Sequence, residues 1–136
     1  MKLLQRYHFL SRAEMLKPVR KIIREISQSQ SCSEENISAM VMAINEACMN
    51  IIQHAYKEYP DGEIILEFWL KQNTMLIKLL DFSETIDKSK IKSRNLNDIR
   101  PGGLGVHLMQ KTMDKVEYLD NPDGQGNILQ MEKKLK

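Results

Sequence analysis

The sequence predicts an α+β fold: a two-layer sandwich in which a mixed, largely antiparallel sheet carries helices on one face. Three observations point there. A short N-terminal stretch of large side chains is followed by two segments with helical apolar spacing. Two apolar runs joined by three polar residues then read as a hairpin, and a second such pair closes the chain. The resulting order is β-α-α-β-β-loop-α-β-β. Neither an internal repeat nor a composition break divides it, so residues 1–136 are expected to form one domain.

Leu3 to Phe9 is the first expected strand, with polar Gln5 and Arg6 between larger side chains. Ser11 and Glu14 form a capping box for a first helix, whose stripe is Leu16, Val19, Ile23 and Ile26. Pro18 has no N–H to give a helix interior, so the helix starts late or bends there. A Ser/Gln loop at 27–33 follows. Ser31 and Glu34 make a second capping box, opening a helix that runs to about Tyr56. Its stripe is Ile37, Met40, Val41, Ile44, Cys48, Ile51 and Ala55. The opposite side holds Ala39, Met42, Ala43 and Met49, so this helix is expected to be buried on more than one side.

Tyr59-Pro60-Asp61-Gly62 is a turn. Strands over Glu63–Leu70 and Thr74–Asp81 are joined through Lys71-Gln72-Asn73. From Phe82 to Arg100 no period survives, and a polar connection of that length is functional or disordered. Pro101-Gly102-Gly103-Leu104-Gly105 leads into a helix carrying Val106, Met109 and Met113. Val116–Leu119 and Ile128–Leu135 form the closing hairpin around Asn121-Pro122-Asp123-Gly124.

Composition narrows the function classes. Twenty Lys+Arg against eighteen Asp+Glu leave a charge of +2, too balanced for nucleic acid or membrane to be the main partner. No apolar run reaches the roughly 20 residues of a membrane helix. Met1–Tyr7 turns polar too soon for a signal peptide. Cys32 and Cys48 have no metal-ligand spacing, so reduced thiols in a cytoplasmic protein are expected.

Several residues carry possible chemistry. Glu46 and Asn50 lie one turn apart on a helix face among small or apolar neighbours. A carboxylate buried there needs a cation, a ligand or donors. Asn50 offers a neutral oxygen suited to Mg²⁺, which takes few protein ligands. The same spacing fits a structural Glu–Asn hydrogen-bonded pair. Asp81 ends an apolar strand, where it either caps the strand or accepts the exocyclic amine of a purine. The glycine cluster at 102–105 is no P-loop, for no Gly-Lys-Ser/Thr follows, and it lacks the third glycine of a dinucleotide fingerprint. Glycine-rich backbone before a helix still makes an anion site. His8, His54 and His107 are scattered and do not suggest a metal site. Lys88, Lys90, Lys92 and Arg94 form a solvated loop that can approach phosphate if it closes.

Taken together, these segments resemble a known family. Ala43-Ile44-Asn45-Glu46-Ala47-Cys48-Met49-Asn50-Ile51-Ile52-Gln53-His54-Ala55-Tyr56 looks like the N-box of the histidine-kinase-like (GHKL, Bergerat-fold) ATPases. In particular it resembles the bacterial anti-sigma factor serine-protein kinases, whose version is a Glu, three residues, an Asn, then His-Ala-Tyr. Asp81-Phe82-Ser83-Glu84-Thr85-Ile86-Asp87 resembles their adenine box, and Gly102-Gly103-Leu104-Gly105-Val106-His107-Leu108-Met109 their phosphate box. Two positions depart from the pattern. Ser83 stands where the family has Gly, and Asn127 follows Gly126 where the family has Thr; either change raises the cost of nucleotide binding or reshapes the pocket.

The resemblance implies an ATP- and Mg²⁺-dependent serine/threonine protein kinase that is also an anti-sigma factor. Glu46 would be the general base. Asn50 would hold Mg²⁺, and Asp81 the adenine amine. His54, Ile86, Gly102, Gly103, Leu104 and Gly105 would complete the nucleotide site under a lid over about 82–101. The implied partners are a sigma factor and a small STAS-like antagonist carrying the target Ser or Thr, with a homodimer implied by the family alone. A partner-switching module of the same fold without phosphotransfer is the alternative. The catalytic domain of a two-component histidine kinase fits less well, because no helical hairpin with a phosphoacceptor His is found.

Overall fold

The computed structural model describes residues 1–83, 109–119 and 126–135. Five strands form one sheet: β1 (Lys2–Leu10), β2 (Glu63–Lys71), β3 (Thr74–Asp81), β4 (Lys115–Leu119) and β5 (Asn127–Lys134). Their order across the sheet is β1-β2-β3-β5-β4. The expected largely antiparallel sheet is antiparallel at all four pairings among the described residues. Helices α1 (Leu16–Ser29) and α2 (Glu34–Asn50) stand between β1 and β2, and residues 109–112 are helical as well.

Alternation on the strands explains the layering. Ile64, Leu66 and Phe68 of β2 point one way, as do Met75, Ile77 and Leu79 of β3, and the register sets Leu66 opposite Leu79 and Phe68 opposite Ile77. These six share one core with Val19 and Ile23 of α1 and with Met40, Ile44, Ala47 and Cys48 of α2. Ile65 and Leu76 face the other way and lie outside that core. Both helices therefore cover a single face of the sheet. Met109 and Met113 are buried in the same core.

Local details differ from expectation at the helix starts. Ser11 does not cap a helix. Its hydroxyl donates to the Tyr59 carbonyl and accepts from the Gly62 amide, and a 3₁₀ turn (Ala13–Met15) precedes α1. Pro18 falls third in α1, where its missing N–H costs nothing, so the helix does start late. The cap of α2 is Ser33, accepting from the Asn36 amide at 3.1 Å, while Ser31 stands in the left-handed region at φ 58°. Ser31 thus ends the preceding turn instead of opening the helix. Nor is α2 enclosed on every side: Met42 is 45% exposed.

The central hairpin reaches one residue further than expected. Lys71 pairs with Thr74, leaving Gln72 and Asn73 as the turn, with Gln72 at φ 54°. β4 and β5 pair from Lys115–Glu132 to Leu119–Ile128, as the closing hairpin requires. The turn at 121–124 lies outside the described residues.

Candidate functional site

Where α2 ends, the backbone changes pitch. A single π-helical turn (Ile51–Ala55) follows Asn50 and runs into Tyr56. Such turns shift the phase of the side chains beyond them and recur at functional sites. Ile51 and Ile52 stay buried through it, while His54 is exposed.

Glu46 and Asn50 lie four positions apart on α2, and both are half-buried. Among the described residues neither side chain makes a hydrogen bond or an ion pair, so the Glu46–Asn50 structural pair does not form. A half-buried carboxylate and amide without protein partners are open to an external one. The neighbouring Asn45 is engaged: Arg20 Nη1 of α1 donates to its Oδ1 at 3.0 Å, bracing the two helices beside Glu46.

Tyr56 carries the end of the helix to the end of β3. Its hydroxyl donates to the Glu63 carbonyl at 2.6 Å and accepts from the Phe82 amide at 2.8 Å. The phenol is held above its usual range chiefly by burial; the Phe82 amide opposes this, while the Asp81 and Glu63 charges add to it. Gly62 makes room for the ring, since a Cβ there would stand 2.6 Å from it. The strand end bearing Asp81 is thereby tied to the segment that follows Asn50.

Asp81 itself is 4% exposed, and one of its two oxygens is saturated. Oδ1 accepts from the Ser83 amide at 3.0 Å, from the Ser83 hydroxyl, and from Asn127 Nδ2 at 3.0 Å. Asn127 Nδ2 also donates to Ser83 Oγ at 3.1 Å. Oδ2 accepts no hydrogen bond among the described residues. Gly126, at φ 79°, lies so close that a Cβ would run into the Asp81 carbonyl oxygen. Only glycine combines that φ with that approach.

The structure thus brings Asp81 and the end of the Glu46/Asn50 helix to one end of the fold. Ile86, Gly102, Gly103, Leu104 and Gly105 lie outside the described residues, as does the expected lid apart from Phe82 and Ser83. Tyr56, Ser83 and Asn127 received no role from the sequence. Tyr56 was visible only as the last letter of His-Ala-Tyr, and the other two only as departures from a pattern. Among the described residues no three His, Cys, Asp or Glu side chains form a metal cluster. The donors present still fit Mg²⁺ carried on a triphosphate, for which one unpartnered amide oxygen is a suitable protein ligand.

Residues 9–133 match the histidine kinase-like ATPase domain, and the chain belongs to that family. Within it, the chain is 30% identical over 117 residues to the serine-protein kinase RsbW of Bacillus thuringiensis, covering 80% of this chain and 72% of that protein. It belongs with these RsbW kinases. Among solved structures, the RsbU and RsbW domains of a Mycobacterium tuberculosis protein align over 97% of this chain and 33% of theirs, with TM-score 0.69 and 15% identity. The SiaB–SiaC complex of Pseudomonas aeruginosa aligns with TM-score 0.64 and 11% identity, over 97% of this chain and 90% of that one. Both likenesses speak for the fold. Among the described residues no helix is long and apolar enough to cross a membrane.

Proposed function

We propose that this chain is a cytoplasmic, single-domain serine/threonine protein kinase that phosphorylates a small STAS-like antagonist and, in exchange, holds or releases a sigma factor. The observation that carries the reading is the Glu46/Asn50 pair: half-buried, one turn apart, and without partners among the described residues. Kinship with RsbW kinases supports the activity, and the SiaB–SiaC complex, in which a protein of this fold is seen with a partner, supports partner exchange. A homodimer belongs to the same reading.

The roles follow from the chemistry of each group. Asp81 Oδ2 accepts the exocyclic amine of adenine. Asn50 Oδ1 would hold Mg²⁺, which supplies charge neutralisation on the phosphates. Glu46 orients and deprotonates the attacking Ser or Thr hydroxyl of the antagonist. Because phosphoryl transfer is catalysed mainly by positioning and charge stabilisation, one base and one cation on a preorganised scaffold suffice. His54, Ile86, Gly102, Gly103, Leu104 and Gly105 complete the nucleotide site in this proposal.

The test is transfer of label from ATP to a STAS-like antagonist in the presence of Mg²⁺. A phosphorylated Ser or Thr on the antagonist is expected. Protein that binds ATP and a sigma factor yet transfers no phosphate to any such antagonist would instead be a partner-switching module.

A further inference from the structure

The two positions that depart from the family's pattern, Ser83 and Asn127, are 44 residues apart in sequence, yet they touch. Ser83 Oγ donates to Asp81 Oδ1 and accepts from Asn127 Nδ2, while Nδ2 also donates to the same Oδ1. The three side chains therefore close a hydrogen-bonded ring. Glycine at 83 would leave only a backbone N–H, and threonine at 127 would bring one hydroxyl donor instead of an amide's two N–H groups. Neither departure acts alone: the group that Ser83 adds is the group that Asn127 contacts.

We propose that Ser83 and Asn127 form one coupled positioning element that fixes Asp81 as a one-sided acceptor, and so sets the preference of the site for a purine with an amine, not a carbonyl, at C6. The inference rests on the reading of Asp81 as the acceptor of the base. Three donors on Oδ1 hold the carboxylate plane from one side, and Oδ2 is left to face a ligand. A fixed, acceptor-only oxygen attracts the amine of adenine and repels the carbonyl of guanine. A carboxylate released from its ring can turn away from either base, so discrimination should fade before binding does. Preorganised acceptors owe their selectivity to this immobility.

Calorimetric titration of the whole chain with Mg²⁺-ATP and Mg²⁺-GTP, beside thermal melts, tests the proposal. The wild type should favour ATP. Ser83→Ala and Asn127→Ala should each narrow the ATP/GTP affinity ratio roughly tenfold, whereas Ser83→Thr, which keeps the hydroxyl, should preserve it. Ser83→Gly and Asn127→Thr should be non-additive, the double variant losing at least about fivefold less ATP affinity than the product of the singles. If an alanine variant does not fold, Asn127→Thr provides the disrupting readout, with a narrowed ATP/GTP ratio, and Ser83→Thr the preserving one. Single variants that lower the melting temperature but leave the ATP/GTP ratio unchanged would reduce the ring to a structural clasp and overturn the proposal. So would strict additivity. A wild type that binds ATP without favouring it over GTP, or binds neither, overturns the reading of Asp81 itself and the proposal with it.

Discussion

At the scale of single residues, Glu46 and Asn50 share a helix face but have separable jobs. Asn50→Ala removes a cation ligand and should weaken Mg²⁺-ATP binding at least about tenfold, some 1.4 kcal/mol, with phosphotransfer falling alongside. Glu46→Gln keeps size and hydrogen-bonding capacity but removes basicity. Mg²⁺-ATP affinity should stay within a few-fold, while transfer to the antagonist falls by roughly 10²–10⁴-fold. Titration calorimetry and a transfer assay separate the two. A Glu46 that merely supported the helix would show the reverse, with a lowered melting temperature and an unchanged transfer rate. That outcome is disfavoured by the absence of any partner for its carboxylate among the described residues.

At the scale of elements, the junction from α2 through the π turn to Tyr56 couples helix to sheet. Tyr56→Phe keeps the ring that Gly62 accommodates and deletes the hydroxyl between the Glu63 carbonyl and the Phe82 amide. A loss of about 1–3 kcal/mol is expected in chemical denaturation, together with weaker ATP binding because the backbone next to Asp81 is freed. Gly126→Ala should be worse than its size suggests. Left-handed strain alone costs about 1–3 kcal/mol, and the added methyl would also push on the Asp81 carbonyl. Thermal melting checks the first effect, and ATP titration the second.

The same elements show what the sequence could reveal. Alternation in β2 and β3 and the stripe of α1 were legible because burial selects apolar side chains at the period of each element. The caps were less so. Ser31 and Ser33 are chemically equivalent candidates, and only the left-handed backbone at Ser31 decides between them. Ser11 carries a capping signature but is drawn away by Tyr59 and Gly62, about fifty residues on. Glu46, Asn50 and Asp81 stood out as polar residues in apolar runs. The ring of Asp81, Ser83 and Asn127 did not, since no local pattern reports a contact between the ends of two strands brought together by the β3–β5 pairing.

At the scale of the whole molecule, Cys48 gives the core a dependence on alkaline pH. Its thiol is fully buried beside the strands' inner face, and burial pushes its pKa from 9.0 up to about 12. Below about pH 9 the thiol is protonated in the folded and unfolded chains alike, and it has no effect on the pH dependence of stability. Above that, the unfolded chain releases its proton first while the native chain retains it, so the unfolded state gains. Stability therefore falls as pH rises through the window from 9 to 12. The full shift of three pH units corresponds to about 4 kcal/mol, of which roughly 2–3 kcal/mol should be gone by pH 11. Tyr56 adds to this in the same direction, because its phenol is also held above its usual range. Cys48→Ala creates a small void and should lower stability at neutral pH by about 1–2 kcal/mol. It should also flatten the alkaline decline, so that the stabilities of variant and wild type converge or cross near pH 11. Urea denaturation at pH 8, 9.5 and 11 measures both curves. Parallel curves would mean that the thiol reaches solvent in the native protein. Reaction of Cys48 with a thiol reagent at pH 8 as fast as that of the more accessible Cys32 would say the same.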